Sequence, residues 1–69
     1  MKLSARNQLH GTIVGLEKGA VNARVKIDVG GGNRITASIT NEAVEDLELR
    51  EGSKVTAVIK ASDVMLMTD

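Results

Sequence analysis

The most constraining feature of the sequence is a strict alternation of apolar and polar residues over positions 21–29. Side chains of a β-strand point to opposite faces in turn, so a period of two predicts a strand with one buried face. Glycines at positions 30–32 tolerate positive φ, and the alternation resumes over residues 34–40. We therefore predict a β-hairpin whose first strand buries Val21, Ala23, Val25, Ile27 and Val29.

Further strands are predicted on both sides of this hairpin. Residues 8–16 are apolar and β-branched around Gly11 and Gly15, and glycines inside a strand favour sharp bending. Alternation over residues 54–60 predicts a fourth strand, and the apolar run over residues 64–67 predicts a short fifth one. The sequence therefore indicates five short strands.

One short helix interrupts the strands between the third and the fourth. Residues 41–47 break the alternation, and Thr40 or Asn41 can cap a helix that starts here. The order β-β-β-α-β-β predicts an all-β, five-stranded, OB-like Greek-key barrel with one short helix between strands 3 and 4, and a flat sandwich-like sheet is the alternative. Three apolar residues of the helix share one face: Ala43, Val44 and Leu47.

The small size of the chain indicates self-association. With 69 residues the sequence predicts a single domain over residues 1–69, and such a domain buries only about 60% of the surface that its unfolded chain exposes. Cysteines and aromatic residues are absent, so neither disulfides nor large rings can compensate. Burial of apolar surface between subunits is the remaining way to stabilise the domain. We predict an interface, with isolated exposed apolar residues as the alternative, at three apolar residues that point outward: Val14, Leu16 and Val58.

Composition argues against several functions. Nine basic and nine acidic side chains cancel, and aromatic rings are absent, so nucleic-acid binding lacks its electrostatic and stacking supports. The lone histidine, His10, has no thiol or triad beside it, so we predict no enzyme activity and an ordinary surface role for His10. The carboxylates do not recur at metal-loop spacing, so we predict no bound metal cation.

Membrane insertion and export are not predicted either. Residues 1–7 contain no apolar run that could serve as the core of a signal peptide. No stretch approaches the roughly 18 apolar residues of a membrane span. We expect a cytoplasmic protein without a membrane partner.

Two polar clusters are the candidates for a binding site. They lie at residues 4–7 and 60–63, and each combines a cation with hydroxyl, amide and backbone donors. A tetrahedral dianion requires only donors, and charge-assisted bonds from arginine and lysine are the strong ones. If the two segments lie side by side they form one anion site. Solvated polar strand ends are the alternative, which spacing alone leaves open.

Four segments in sequence order resemble the molbindin (Mop) family: SARNQL at 4–9, GTIVGLEKGAVNA at 11–23, GNRIT at 32–36 and VIKASDVM at 58–65. The resemblance covers the chain from end to end. It implies an OB-like barrel, assembled as a homohexamer (a trimer of dimers), that binds molybdate or tungstate at subunit interfaces and stores or buffers the anion.

The resemblance also implies a set of binding residues. Side-chain donors would come from Ser4, Arg6, Lys60 and Ser62, with Thr40 contributed by a neighbouring chain. Backbone N–H groups would come from Ala5, Ala20, Val21 and Ala61.

Two other roles are weighed against storage. By resemblance, the same type of domain also occurs as the oxyanion-sensing part of regulators and of transporter ATPase subunits. Because the sequence ends at Asp69 without DNA-binding helices or a nucleotide motif, storage is ranked first, sensing through a partner protein second, and nucleic-acid binding third.

Overall fold

Four antiparallel strands and one short helix make up most of residues 4–69, the part of the chain that the computed structural model describes. The strands form one curled sheet, and the predicted OB-like, mostly β architecture is confirmed, with its helix between the third and fourth strands. Residues 1–3, part of the segment predicted not to be an export signal, lie outside the described residues. In chain order the elements are β1 (Asn7–Lys18), β2 (Asn22–Gly30), β3 (Asn33–Thr40), α1 (Asn41–Asp46), β4 (Lys54–Ile59) and a turn of 3-10 helix (Ala61–Asp63).

The hairpin predicted from the alternating pattern is confirmed, but the predicted burial of Val21 is wrong, because Val21 precedes β2 and is 68% exposed. β2 pairs with β3 in antiparallel register, with Asn22 opposite Thr40. Gly30, Gly31 and Gly32 have φ values of +93°, +62° and +80°, which residues with a Cβ rarely adopt. Glycine at these positions therefore allows the chain to reverse between the two strands.

The core lies on one face of the sheet, whose strand order is β3-β2-β1-β4. The helix α1 contacts β2 and β3 and closes one side of this core. Full burial of an aliphatic side chain contributes about 1.5–3 kcal/mol, so a handful of such residues gives a domain only modest stability. The buried residues are all apolar, with exposures of 6% or less: Ile13, Ala23, Val25, Ile27 and Val44.

A β-bulge in β1 changes which residues face the core. The pairing of β1 with β2 shifts by one residue between Ile13 and Gly15, so Val14 is the extra residue of the bulge. The extra residue reverses the alternation, and Leu16 packs against the core. The prediction that Leu16 points outward is therefore wrong, whereas Val14 and Val58 are 40% and 46% exposed.

The predicted fifth strand is wrong for the single chain. After β4 and the 3-10 turn, the chain continues to Asp69 without regular structure. We call residues 64–67 the tail, in which Met65, Leu66 and Met67 are each more than 90% exposed. A strand needs a neighbouring strand for stability, and within the described residues the tail pairs with none. The sheet therefore stays open between its two edge strands, β3 and β4.

The helix is one residue shorter than predicted. α1 ends at Asp46, and Leu47 is its C-cap and is 66% exposed, whereas Val44 is buried. Glu48 follows with a φ of +53°, a left-handed conformation common where helices end. Neither helical element of residues 4–69 has the length and apolar character needed to cross a membrane.

Gly11 of β1 lies against β2 with no room for a side chain. A Cβ at this position would lie 2.5 Å from the Asp28 carbonyl oxygen and 2.7 Å from Ile27 Cγ2. We predict that Gly11→Ala lowers the free energy of unfolding by about 1–3 kcal/mol, because the backbone of β2 must move. Chemical denaturation measures this. Gly15→Ala is the control, since its nearest neighbour would be Lys26 Cβ at an ordinary 3.5 Å; equal stability of the two variants would contradict this account.

Candidate oxyanion site

The first donor group lies where β1 begins and β4 ends. Asn7 of β1 pairs with Ile59 of β4, and its Nδ2 donates to the Ile59 carbonyl oxygen at 3.2 Å. Continuing the antiparallel pairing by one residue sets Arg6 opposite Lys60. The structure thus places the two polar clusters of the sequence at the same end of this strand pair. We call the candidate residues found here group one: Ser4, Ala5, Arg6, Lys60, Ala61 and Ser62.

The 3-10 turn after β4 supplies backbone donors to group one. Lys60 is its N-cap in an extended conformation, and the Asp63 N–H donates to the Lys60 carbonyl oxygen at 2.9 Å. The first N–H groups of a helical turn, here those of Ala61 and Ser62, have no partner within the turn. They add two neutral donors to the Ser62 hydroxyl and the Lys60 ammonium group.

Arg6 and Lys60 give group one its positive charge. Both residues are exposed. Among residues 4–69 the only ion pair within 4.0 Å joins Lys18 Nζ to Glu45 Oε1, at 3.7 Å. No carboxylate of the described chain therefore neutralises Arg6 or Lys60. Two neighbouring cations repel each other, and an anion placed between them would relieve that repulsion.

The second donor group lies at the turn between β1 and β2. The Gly19 N–H donates to the Asn22 carbonyl oxygen at 2.8 Å and closes the turn. Asn22 pairs with Thr40, the last residue of β3, so Thr40 lies beside the turn. All three candidate residues here are exposed. We call them group two: Ala20, Val21 and Thr40.

Thr40 is both the helix cap and a possible donor to a ligand. Its Oγ1 accepts a hydrogen bond from the Ala43 N–H at 3.0 Å, so the cap that the sequence left open between Thr40 and Asn41 is Thr40. A hydroxyl group carries one proton as well as two acceptor lone pairs. Accepting from Ala43 therefore leaves the hydroxyl proton of Thr40 available for an acceptor.

The two groups lie at opposite ends of β1. Residues 4–6 precede this strand and residues 20–21 follow it. Its 12 residues have a contour length of roughly 40 Å at about 3.3 Å per residue, and the strand curls within a molecule whose longest dimension is 35 Å. Donors of one bound oxyanion must all lie about 3 Å from its oxygens. Group one lies where β1 pairs with β4 and group two where β2 pairs with β3, and no strand pairing of the described residues joins the two groups.

Asn41 is a residue of this region that the sequence analysis considered only as a helix cap. Its Nδ2 donates to the Gly19 carbonyl oxygen at 2.9 Å, and its backbone N–H donates to the Val21 carbonyl oxygen at 2.8 Å. These bonds hold the turn of group two against the start of α1. The only sequence signal is an Asn directly after the capping Thr40, which does not predict a contact 22 residues away.

His10 lies outside both groups. Its Nδ1 is 2.9 Å from Thr56 Oγ1, in an exposed pair on β1 and β4. In the part of the chain that the structure describes, no three His, Cys, Asp or Glu side chains are grouped to hold a metal ion. The donors of groups one and two suit an anion.

Comparison with known proteins identifies one family and several relatives. The model of the TOBE domain matches residues 3–66. Molybdenum-pterin-binding protein 1 of Clostridium pasteurianum is 51% identical over 67 residues, which cover 97% of this chain and 98% of that protein. A molybdate-binding protein from Sporomusa ovata has a TM-score of 0.92 and 40% identity, covering 99% of this chain and 100% of its own. The cytoplasmic molybdate-binding protein ModG, with molybdate bound, has a TM-score of 0.90 and 51% identity, covering 94% of this chain and 46% of its own.

Replacing Thr40 tests the cap on which the geometry of group two depends. We predict that Thr40→Ala lowers the free energy of unfolding by about 1 kcal/mol, because the Ala43 N–H loses its acceptor. Thr40→Ser keeps a hydroxyl at the same position and is expected to unfold close to the wild type. Thermal unfolding without ligand compares the three proteins. An alanine variant as stable as the wild type would show that the cap contributes nothing.

Proposed function

Because the chain belongs to the TOBE domain family, we propose that it binds and stores molybdate or tungstate in the cytoplasm as a homo-oligomer. Relatives named for molybdenum-pterin or molybdate binding cover at least 94% of its length at 40–51% identity. The observation that carries the proposal is the pairing of Asn7 of β1 with Ile59 of β4, which brings their neighbours Arg6 and Lys60 to the same end of this strand pair. The description of ModG as cytoplasmic supports the location.

The donor set matches the chemistry of these anions. Molybdate and tungstate are tetrahedral dianions that offer only hydrogen-bond acceptors. Charge-assisted bonds from Arg6 and Lys60 are roughly twice as strong as neutral ones, and the serine hydroxyls and backbone N–H groups add to them. A ligand that must itself donate a proton finds few acceptors here. Sulfate carries the same charge, so its exclusion depends on the size of the closed cavity.

We further propose that a complete site forms between two copies of the chain. The residues of group one would come from one copy, and those of group two, including Thr40, from its neighbour. The distance along β1 supports this arrangement, because the two groups of one chain lie at opposite ends of a 12-residue strand. Their exposure in the single chain supports it as well, since every residue of the two groups except the half-buried Ala5 is exposed.

The open side of the sheet offers a second contact between copies. The tail of one copy would pair with the open edge of another and complete its barrel with the fifth strand that the sequence predicts. Consecutive apolar residues are typical of a strand buried on both faces, and the tail has four. The groove between β3 and β4 is lined mostly by apolar side chains: Ile35, Ala37, Ile39, Leu47, Leu49, Val55, Ala57 and Ile59.

These two contacts are sufficient to build the proposed homohexamer. One contact would join two copies into a dimer, and the other would join three dimers into a trimer of dimers. Val14 and Val58, which are 40% and 46% exposed, are further apolar surface for such contacts. The modest core of the single domain over residues 1–69 would then be supplemented by burial between subunits.

Anion binding would stabilise this assembly. A ligand that binds only the assembled form adds about 2.7 kcal/mol of stability when its concentration is 100 times Kd. Neutralising Arg6 and Lys60 is the physical source of that gain. Neither donor group contains a nucleophile with an adjacent base, so we propose reversible storage without catalysis.

Native mass spectrometry of the purified protein tests this function. We expect a hexamer that gains molybdate or tungstate and retains it in an excess of sulfate or phosphate. A monomer that takes up none of these anions would contradict the proposal. Binding of single-stranded nucleic acid by such a monomer would instead support the OB-fold alternative.

Removing the charge of Arg6 is the sharpest single change to group one. We predict that Arg6→Ala abolishes molybdate uptake and the rise in unfolding temperature that molybdate causes. Arg34→Ala is the matched control, because Arg34 is exposed on β3 near the hairpin turn, far along the sheet from both groups. Isothermal titration and thermal unfolding measure the two effects. A folded Arg6→Ala protein with wild-type affinity would exclude Arg6 from the site.

A charge in the tail tests the second contact. We predict that Leu66→Asp dissociates the hexamer, because Leu66 is 92% exposed in the single chain and would be buried between copies. Thr68→Asp adds the same charge two residues further on and should leave the assembly intact. Light scattering after size exclusion gives the masses, and an intact Leu66→Asp hexamer would show that the tail is not in the interface.

A further inference from the structure

We propose that Asn41 is a positioning residue for the anion site, because its hydrogen bonds determine the direction of the N–H groups in the turn at residues 19–21. The inference rests on the oxyanion-binding function proposed above. Two bonds from Asn41 reach this turn: Nδ2 to the Gly19 carbonyl oxygen at 2.9 Å, and the backbone N–H to the Val21 carbonyl oxygen at 2.8 Å. Ala20 lies between the two bonded carbonyls.

The planar trans peptide converts these bonds into a direction for the donors. The Gly19 carbonyl and the Ala20 N–H belong to one peptide group and point in opposite directions. Because the Gly19 oxygen is turned towards Asn41, the Ala20 N–H is turned away from it. The bond to the Val21 carbonyl oxygen fixes the peptide group between Val21 and Asn22. The N–H of Val21 is thus held between two fixed peptide planes.

The donors that Asn41 orients are free to bind a ligand. Within residues 4–69, the N–H groups of Ala20 and Val21 donate to no backbone carbonyl. Both residues are exposed. A turn held only by the Gly19 to Asn22 bond would leave these peptides free to rotate, and ordering them on binding would cost conformational entropy. Asn41 removes that cost before the anion arrives.

A second feature of Asn41 separates it from an ordinary surface amide. Its Oδ1 is buried and has no hydrogen-bond partner among the described residues. A buried acceptor without a donor reduces stability, so a residue selected for stability alone would not be expected here. Unfavourable local features of this kind concentrate at functional sites.

Thr40 and Asn41 together link the two sources of donors in group two. Thr40 caps α1 by accepting a hydrogen bond from the Ala43 N–H and keeps its own hydroxyl proton free. Asn41 Nδ2 donates a hydrogen bond to the Gly19 carbonyl oxygen of the turn. Two consecutive residues thereby fix one side-chain donor and two backbone donors relative to one another. Aspartate at position 41 would place a carboxylate oxygen against the Gly19 carbonyl oxygen, and the hydrogen bond to the turn would be lost.

The test uses Asn41→Ala and the matched control Ser53→Ala in the full chain. Ser53→Ala removes a comparable hydrogen bond, from the Arg50 N–H to Ser53 Oγ at 3.0 Å, in a turn before β4 that belongs to neither group. Amide hydrogen exchange by nuclear magnetic resonance reports the Ala20 and Val21 N–H groups directly, and isothermal titration gives the molybdate affinity. Size exclusion with light scattering checks that both variants keep the oligomeric state of the wild type.

We expect Asn41→Ala to weaken molybdate binding by about 10–100-fold, the range typical of removing an outer partner that orients a residue in a metal site. Its Ala20 and Val21 amides should shift and exchange faster, with those of Ala61 and Ser62 unchanged. Ser53→Ala should bind like the wild type even if it unfolds at a similarly lowered temperature.

Each outcome separates this inference from the proposed function. Wild-type affinity and unchanged turn amides in Asn41→Ala would overturn the role of Asn41 while leaving storage intact. Equal losses of affinity in Asn41→Ala and Ser53→Ala would also overturn it, because general destabilisation would then explain both. If the wild type itself binds no molybdate, the proposed function fails, and the exchange data still decide whether Asn41 fixes the turn.

Discussion

Hydrogen bonding along both edges of β1 is the interaction on which the rest of the structure depends. Pairing with β4 brings the chain before Asn7 to the chain after Ile59, and pairing with β2 creates the turn that carries Ala20 and Val21. Neither donor group has a rigid element of its own. Each extends from the end of a strand pair whose register is fixed by the buried side chains of the sheet. Packing in the core therefore sets the positions of exposed polar groups at its two ends.

The parts of the fold that follow from local pattern were predictable from the sequence. The alternation over residues 21–29 and the three glycines after it each have one dominant physical reading, and the structure agrees with both except at Val21, which is exposed. The structure also assigns to Thr40 the cap that the sequence left open between Thr40 and Asn41. The meeting of residues 4–7 with residues 60–63 was expected only on the condition that their strands pair, and the register supplies that condition. The family resemblance, and not the spacing, indicated which residues to select within these segments.

The remaining features depend on contacts that no local pattern records. The bulge at Val14 inserts one extra residue into β1 and turns Leu16 towards the core. The sequence around Val14 is equally compatible with a regular strand. The tail has the composition of a strand but no partner strand in its own chain, so the prediction was wrong for the single chain. Asn41 was missed because its partners, Gly19 and Val21, lie about twenty residues earlier and are backbone groups without a sequence signature.

Two complementary donor groups at the ends of one strand place a symmetry condition on any assembly that joins them. When a two-fold axis relates two copies, the contact of group one with group two occurs twice, so both cavities of the pair close in the same event. When the axis has higher order, group one of each copy contacts group two of the next copy around a ring. The last cavity then closes only when the ring is complete. In either point group the number of closed cavities of this kind equals the number of chains. A ratio below one anion per chain at saturation would therefore indicate an open arrangement with unsatisfied ends.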